Sequence, residues 1–391
     1  MEYPGIGHNQ SYLSNTYKLE KRNAKIVLIC KAPLNQFTPG LSLAHILANL
    51  VSNLTLITTS CKDPLKAELS KMGVKIIDLS KDTSRSTFFS RFKVWINFRK
   101  MAWNYLKGLG QNVLLWILNG DTTLALGRGI SKFRYILQLS ELYDSLPHYR
   151  KLLGFYASNA SVVVVPDFCR AAILRCWYNL DKTPIVLPNK PSYHPRRRNL
   201  PITDQVASNT LSKIGSGKKI VIYQGNISPL RDIRPVAEAI SRMGKQWQLV
   251  LMGENQSNFV EEVRKVNPKA LYIPKIQSPH HLEVTSHAYI GVVVYGFDML
   301  NAIFCAPNKI WEYSGFGIPM ICLDIPCLRY TVGYAQAGLC SEMSDISNIV
   351  KCLEIIDNDY DFYQQNALRF FDSVDSKSIV SDIVLKVTRI C

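Results

Sequence analysis

Short apolar runs of strand length alternate with stretches of helical spacing along most of this chain, and that alternation leaves few folds open. The series starts at KIVLIC (Lys25–Cys30), and LSLAHILANL (Leu41–Leu50) follows with helical spacing. NLTLITT (Asn53–Thr59), VKIIDL (Val74–Leu79), VLLWIL (Val113–Leu118), RYILQL (Arg134–Leu139) and SVVVVP (Ser161–Pro166) continue it. Strands that are apolar along their whole length need cover on both faces. The intervening helices supply it, so the pattern predicts a parallel sheet between two helical layers. Pro184, Pro188, Pro191, Pro195 and Pro201, with Arg196-Arg197-Arg198 among them, predict an extended connector. The alternation then restarts at KIVIYQG (Lys219–Gly225), with a helix over Ile233–Met243. QLVLMG (Gln248–Gly253), ALYIPK (Ala270–Lys275), YIGVVVYG (Tyr289–Gly296) and PMICLD (Pro319–Asp324) complete the second series. A chain of 391 residues is long enough for two such domains. In doubly wound sheets ligands bind beyond the carboxyl ends of the strands, so the loops after strands are where chemistry is expected.

Composition narrows the class further. Apolar residues make up 47% and charged residues 19%, which excludes a disordered chain. No apolar run approaches the ~20 residues of a spanning helix, and Met1 to Asn23 is polar, so neither a spanning nor a secretory protein is expected. Ten cysteines without CxxC spacing point to reduced cytosolic thiols. The net charge of +16 is uneven: residues 1–200 hold 28 Lys/Arg against 11 Asp/Glu, and residues 201–391 hold 18 against 19. The first half therefore calls for an anionic partner, either nucleic acid or a membrane surface. A helix over Arg85–Lys107 sets Arg85, Lys93, Arg99, Lys100 and Lys107 on one arc beside an aromatic-rich apolar face. That arrangement suits an interfacial membrane helix, with Arg91, Lys93, Trp95, Arg99, Lys100 and Trp103 as contacts. It equally suits a core helix with a solvated cationic edge.

Two loops of the second half carry the chemistry. YQGNISPLRDIRPVAEAI (Tyr223–Ile240) places a glycine at the end of a strand and a cation just before a helix. Glycine lets the backbone approach a ligand and Arg grips phosphate bidentately. The second loop is APNKIWEYSGFGIPMICLD (Ala306–Asp324). Its Pro307 suits the first helical turn, leaving amides open around Asn308 and Lys309, and Glu312 follows one turn in. A carboxylate there either complements the helix dipole or accepts the two hydroxyls of a ribose.

These stretches, with QLVLMGE and GVVVYGFDMLNAIFCAPNKIWEYSGFGIPMICLD, resemble the carboxyl-terminal half of GT-B glycosyltransferases, nearest to family 4 (group 1). KIVLICKAPLNQFTPGL, ELYDSLPHYRK, VVVVPDFCRAAIL and IVLPNKP are similar to the amino-terminal half, so the resemblance spans most of residues 25–390. It implies an α/β GT-B fold of two doubly wound Rossmann-like domains facing across a cleft. The domains it implies are a flexible extension 1–24, an acceptor-binding domain 25–195, a linker 196–216, a nucleotide-sugar-binding domain 217–375 and a carboxyl-terminal helix 376–391 packing back on the first domain. Donor contacts are implied at Gly225, Asn226, Ser228, Arg231, Gly253, Glu254, Asn301, Asn308, Lys309 and Glu312, with Glu312 on the ribose and Arg231 in place of the usual diphosphate-binding Lys. Gly40 is implied on the acceptor side and Glu141 as the catalytic group. The departures are Phe304 where many members carry a second Glu, Asn226 where an Arg often stands, and Ser140 where a His often precedes the Glu.

The implied activity is transfer of a sugar from a nucleotide-diphosphate sugar to an acceptor hydroxyl, without metal or cofactor. The acceptor would be a lipid-linked or growing surface polysaccharide at the inner face of the cell membrane, with the protein cytoplasmic and peripheral on an anionic surface. A sugar-nucleotide epimerase of the same fold and a catalytically silent GT-B binding subunit are the alternatives; no nucleic-acid-reading motif is present. Asp357-Asn358-Asp359 reads as a solvated turn rather than a metal site, His280-His281 as a helix cap, His8 as part of the extension, and Trp311 as a core anchor.

Overall fold

The computed structural model describes residues 21–79, 88–110 and 112–388. The extension with His8, and Arg85, lie outside them. The chain forms two compact units, one holding residues 21–192 and 375–388, the other Tyr193–Val374.

In the first unit the strands are β1 (Arg22–Cys30), β2 (Val51–Thr58), β3 (Lys75–Ile77), β4 (Leu114–Leu118), β5 (Arg134–Gln138), β6 (Val162–Val165) and β7 (Ile185–Val186). They lie in the order β3-β2-β1-β4-β5-β6-β7, every pairing parallel. The central pair explains why its sequence carries no alternation. Ile26 to Cys30 run beside Leu114 to Leu118, and all ten residues are buried. Helix Ser376–Thr388 completes this unit, setting Val380, Ile383, Val384 and Val387 into the same core as Leu43 and Leu47 of helix Thr38–Leu50.

The second unit holds β8 (Lys219–Gln224), β9 (Trp247–Gly253), β10 (Leu271–Pro274), β11 (Ile290–Val293), β12 (Met320–Leu323) and β13 (Gly338–Ser341), in the order β10-β9-β8-β11-β12-β13 and again wholly parallel. Both units are thus doubly wound. Residues 196–216, read above as a connector, are built into this second unit. Arg198 Nε donates to the Ser286 carbonyl at 2.9 Å, and Asp204 caps helix Gln205–Leu211 by accepting from the Ala207 amide at 2.9 Å. Polar side chains that satisfy backbone groups tie the proline-rich stretch down, which its composition does not reveal.

The basic aromatic helix is present over Phe88–Leu106, but two of its six expected membrane contacts are spoken for. Arg99 Nη1 donates to the Ala125 and Leu126 carbonyls at 2.7 and 2.8 Å, and Trp103 Nε1 to Leu126 at 2.9 Å. These are terminal carbonyls of helix Asn119–Leu126, which otherwise lack partners. Arg99 and Trp103 therefore serve the fold, contrary to the expectation. Lys93 and Lys100 are exposed, as is Phe92, whose ring lies parallel to that of Trp95; the side chain of Arg91 lies outside the described residues. Among the described residues, no helix is long and apolar enough to cross a membrane.

Candidate functional site

Strand order in the second sheet reverses between β8 and β11, and the loops leaving these strands carry most of the expected donor residues. Gly225 closes β8 at φ +130° and Gly253 closes β9 at φ +150°. A Cβ on Gly253 would lie 1.7 Å from the Gly225 carbonyl oxygen, so the two loops approach as only glycine allows. Ile227 N donates to the Glu254 carbonyl and Gln256 N to the Ile227 carbonyl, both at 2.9 Å. Glu254 thereby holds the loop through its backbone while its side chain is exposed. The Asn226 carbonyl accepts from the Tyr223 hydroxyl at 2.8 Å, and buried Ser228 begins the short turn that ends at Arg231.

Over this loop stand two cations. The Arg231 guanidinium lies 4.7 Å from the centre of the Tyr295 ring. Lys309 Nζ lies 4.5 Å from the centre of Tyr223 and 5.7 Å from that of Tyr295, a cation held on aromatic faces. The Lys309 ammonium is buried and has no hydrogen-bond partner. Burial first, and the repulsion of Arg231 second, lower its pKa from 10.5 to about 7, although Glu312 opposes the change. A Cβ on Gly225 would stand 3.2 Å from Nζ, so glycine leaves room for the lysine at this turn. The result is a nearly uncompensated positive charge at a glycine turn.

Glu312 lies one turn further along helix Lys309–Ser314, buried, and it is not idle. Its carboxylate accepts from Gln224 Nε2 and lies 3.1 Å from His281 Nε2. Thr285 donates to Gln224 Oε1 at 2.7 Å, which fixes the amide with its NH2 toward the carboxylate. Burial raises the Glu312 pKa, but His281, Lys309 and Gln224 together outweigh it and leave the group lowered, so the carboxylate stays ionised. Beneath the same helix, His194 Nε2 donates to the Glu312 carbonyl at 3.0 Å while its Nδ1 accepts from the Arg196 amide at 3.1 Å. Its pKa, driven down to about 4 by burial, is consistent with that neutral tautomer.

The structure thus brings Gly225, Arg231, Gly253, Lys309 and Glu312 to one end of the sheet. Asn308 precedes that helix and Asn301 lies half-buried in the short helix Leu300–Ile303. Gln224, Thr285 and His281 were not expected here. Gln224 is the last residue of an apolar strand and the one polar side chain facing inward there, a signal open to reading. His281 was read as a cap; it reaches Glu312 instead, while the neighbouring His280 pairs with Glu283 at 2.8 Å. Asp357 pairs with Lys219 at 2.6 Å and accepts from the Tyr289 hydroxyl, and Trp311 is buried against Phe370.

In the first unit, Glu141 follows β5 with its carboxylate half exposed, 3.7 Å from the guanidinium of buried Arg170. Arg170 also donates to the Ser140 carbonyl. Gly40 is not in an open loop but buried inside helix Thr38–Leu50, where a Cβ would meet the Phe37 ring at 2.5 Å. Packing against Phe37 alone therefore accounts for a glycine at this position.

No protein-family model matches the chain, and no curated protein matches it in sequence. Solved structures do. The structure of HepE from Anabaena in complex with UDP and glucose aligns with a TM-score of 0.68 at 11% identity, covering 93% of this chain and 98% of that one. Sucrose-phosphate synthase from Thermosynechococcus elongatus gives a TM-score of 0.68 at 15% identity, covering 94% and 99%. The lipopolysaccharide outer core galactosyltransferase WaaB gives 0.59 at 14% identity, covering 92% and 99%. Together with the two doubly wound sheets, this likeness establishes the GT-B fold.

Proposed function

We propose that this GT-B chain is a glycosyltransferase that moves a sugar from a nucleotide-diphosphate sugar to an acceptor hydroxyl. The observation that carries the reading is Lys309, a buried ammonium without a hydrogen-bond partner, on the same short helix as an ionised and buried Glu312. A diphosphate supplies the anion that Lys309 and Arg231 lack, and the adjoining ribose supplies hydroxyls to the carboxylate. Glu312 keeps lone pairs for that diol beyond the two donors it already has, and Gln224 and His281 hold it in orientation. UDP-glucose is the donor to try first, because HepE was solved with UDP and glucose.

In the reaction the acceptor oxygen bonds to the sugar's anomeric carbon as that carbon's bond to the diphosphate breaks. The bonding pair leaves on the nucleoside diphosphate, and the acceptor proton passes to a base. The two cations meet the charge that develops on the leaving group, in a site where little water screens them. The reading includes contact with an anionic membrane face through Phe92, Lys93, Trp95 and Lys100, which would fit a lipid-linked acceptor in surface polysaccharide assembly and a protein working at the cytoplasmic side.

A thermal-shift panel of UDP-, GDP-, ADP- and CMP-sugars tests the donor, since a ligand that binds only the folded chain raises its Tm. A rise with UDP-glucose, followed by UDP release that depends on added acceptor, is the expected outcome. Conversion of the donor without acceptor would assign the chain to epimerisation instead, and no shift with any nucleotide sugar would remove the reading.

A further inference from the structure

Seven cations and no carboxylate occupy the segments that lead into β1, β4 and β5 (residues 21–25, 107–113 and 132–134) and the last turn of helix Ser376–Thr388 (residues 386–388). All of them belong to the amino-terminal edge of the first sheet. Ile26 pairs with Leu114 and Leu114 with Arg134, so β4 and β5 begin level with Ile26, while β1 begins further back at Arg22. The end of the helix lies over this step in the sheet and leaves a hollow of about 320 Å³. Arg22, Lys25, Asn112 and Arg134 line it from the strands, and Val387 and Thr388 from the helix. β4 lies between β1 and β5. With neighbouring strands about 4.8 Å apart, the cations of β1 and the cation of β5 stand on opposite sides of the hollow, about 10 Å apart across the sheet.

We propose that this hollow binds a small phosphate monoester, its phosphoryl group held by Arg22, Lys25 and Arg134 and its hydroxylated remainder by the side-chain amides of Asn23 and Asn112. Fixing the helix explains only part of the charge. Arg22 Nη2 donates to Ser381 Oγ and Arg134 Nη1 to the Val387 carbonyl, each at 3.3 Å, beyond the ordinary range of such bonds. Lys25 is exposed, and among the described residues no hydrogen bond or ion pair engages its ammonium, so it does nothing for the helix. Like charges gathered around a concave surface repel one another and raise the local potential, which a dianion relieves. Guanidinium forks fit phosphoryl oxygens two at a time. The carbonyl end of a helix repels anions, but the Val387 carbonyl is already covered by Arg134. The single carboxylate of the helix, Asp382, is exposed and does not line the hollow. Small-molecule sites begin at about 300 Å³, so the space suits a metabolite rather than a polymer. No aromatic ring among the described residues lines it, which argues against single-stranded nucleic acid, whose bases need rings to stack on. Doubly wound sheets take their reactants at the carboxyl ends of the strands, and this hollow is at the other edge. It is therefore separate from the transfer chemistry.

Isothermal titration calorimetry of the full chain with sn-glycerol 3-phosphate, at about 0.15 M salt, tests the site. Glycerol 3-phosphate is expected to bind and glycerol not to. Lys25→Glu should weaken the ester ~10-fold or more. Asn112→Asp, which sets a carboxylate in the hollow at another exposed position, should weaken it as well and carries the test if Lys25→Glu fails to fold. Lys151→Glu makes the same charge change on an exposed lysine of helix Pro147–Ser158 and should retain the wild-type affinity. Lys309→Met should retain it too, so the site stands or falls apart from the donor reading. Vesicles of phosphatidic acid in phosphatidylcholine separate the two sources of a monoester. Capture that Lys25→Glu and Asn112→Asp both lower assigns the group to a lipid, and titration by glycerol 3-phosphate without such capture assigns it to a soluble ester. Neither titration nor such capture, equal affinity in wild type, Lys25→Glu and Asn112→Asp, or an equal loss in Lys151→Glu or Lys309→Met overturns the site.

Discussion

The two sheets reverse at equivalent places and load those places with opposite chemistry. At the β8/β11 reversal the backbone is stripped to glycine and the side chains are buried cations, Lys309 and the half-buried Arg231, resting on tyrosine rings. At the β1/β4 reversal the central group is an exposed carboxylate, Asp121, fastened by a lysine and a phenol. Charge buried without a partner is unfavourable for the fold and favourable for an ion that arrives to pair with it. An exposed carboxylate is already solvated and gains only from well-placed hydroxyl donors. The sheet therefore supplies the position, while the residues that follow each strand set the charge and exposure found there.

The largest effect is expected where the charge is least compensated. Lys309→Met preserves the length of the side chain and removes its charge, so UDP affinity should fall ~100-fold or more. The unliganded protein should at the same time become more stable, because a buried charge without a partner has been deleted. Loss of both binding and stability would show Lys309 to be a structural residue and would break the contrast between the two reversals. In the wild type an unfolded lysine keeps its proton to ~10.4, whereas folded Lys309 releases it near about 7, so unfolding takes up a proton between those values. Stability of the unliganded chain should accordingly rise with pH across that window. UDP binding, which needs the ammonium, should weaken across it. Lys309→Met should flatten both dependences in denaturant titrations and calorimetry.

Glu312 offers a smaller and more selective break. Replacing it with Gln keeps the shape and loses the charge, and UDP affinity should drop ~10-fold while inorganic pyrophosphate binding changes little. Discrimination of UDP from 2′-deoxy-UDP should disappear in the same variant. If it persists, Glu312 serves only to hold Gln224 and His281, and the ribose belongs elsewhere.

How far the chain could be read from its sequence differs between the two regions. The strands β1, β2, β4, β6, β8 and β9 were legible because a buried parallel strand has no polar alternation to obscure it. Gly225 and Arg231 could be proposed because they follow a strand end, Lys309 and Glu312 because they open a helix behind Pro307, and the resemblance to GT-B glycosyltransferases supplied their donor roles. Their electrostatics could not, since the burial of Lys309 and the His281–Glu312 contact depend on residues far apart in sequence. The Asp121 cluster was missed altogether. NGD after an apolar strand reads as an ordinary turn, and only the fold sets Lys31 and Tyr149 beside it. The connector over 196–216 failed for a related reason: proline content describes the backbone, not the side chains that anchor it.

The smallest effect concerns the charge that separates the two units. The helix Phe88–Leu106 carries two kinds of cation, and the structure separates them. Arg99 is bound to the carbonyl end of a neighbouring helix, whereas Lys93 and Lys100 are exposed, seven residues apart and so on nearly the same face. A lysine near an anionic surface contributes ~1 kcal/mol, so Lys93→Glu with Lys100→Glu should lower partitioning to phosphatidylserine vesicles more than tenfold and leave Tm unchanged. Arg99→Met should do the reverse, lowering Tm through the unsatisfied Ala125 and Leu126 carbonyls with little effect on partitioning. Neutral vesicles should retain little of either protein. Equal partitioning of wild type and the double variant would leave the positive charge of the first half to some other anionic partner, and would detach the membrane from the function proposed for this chain.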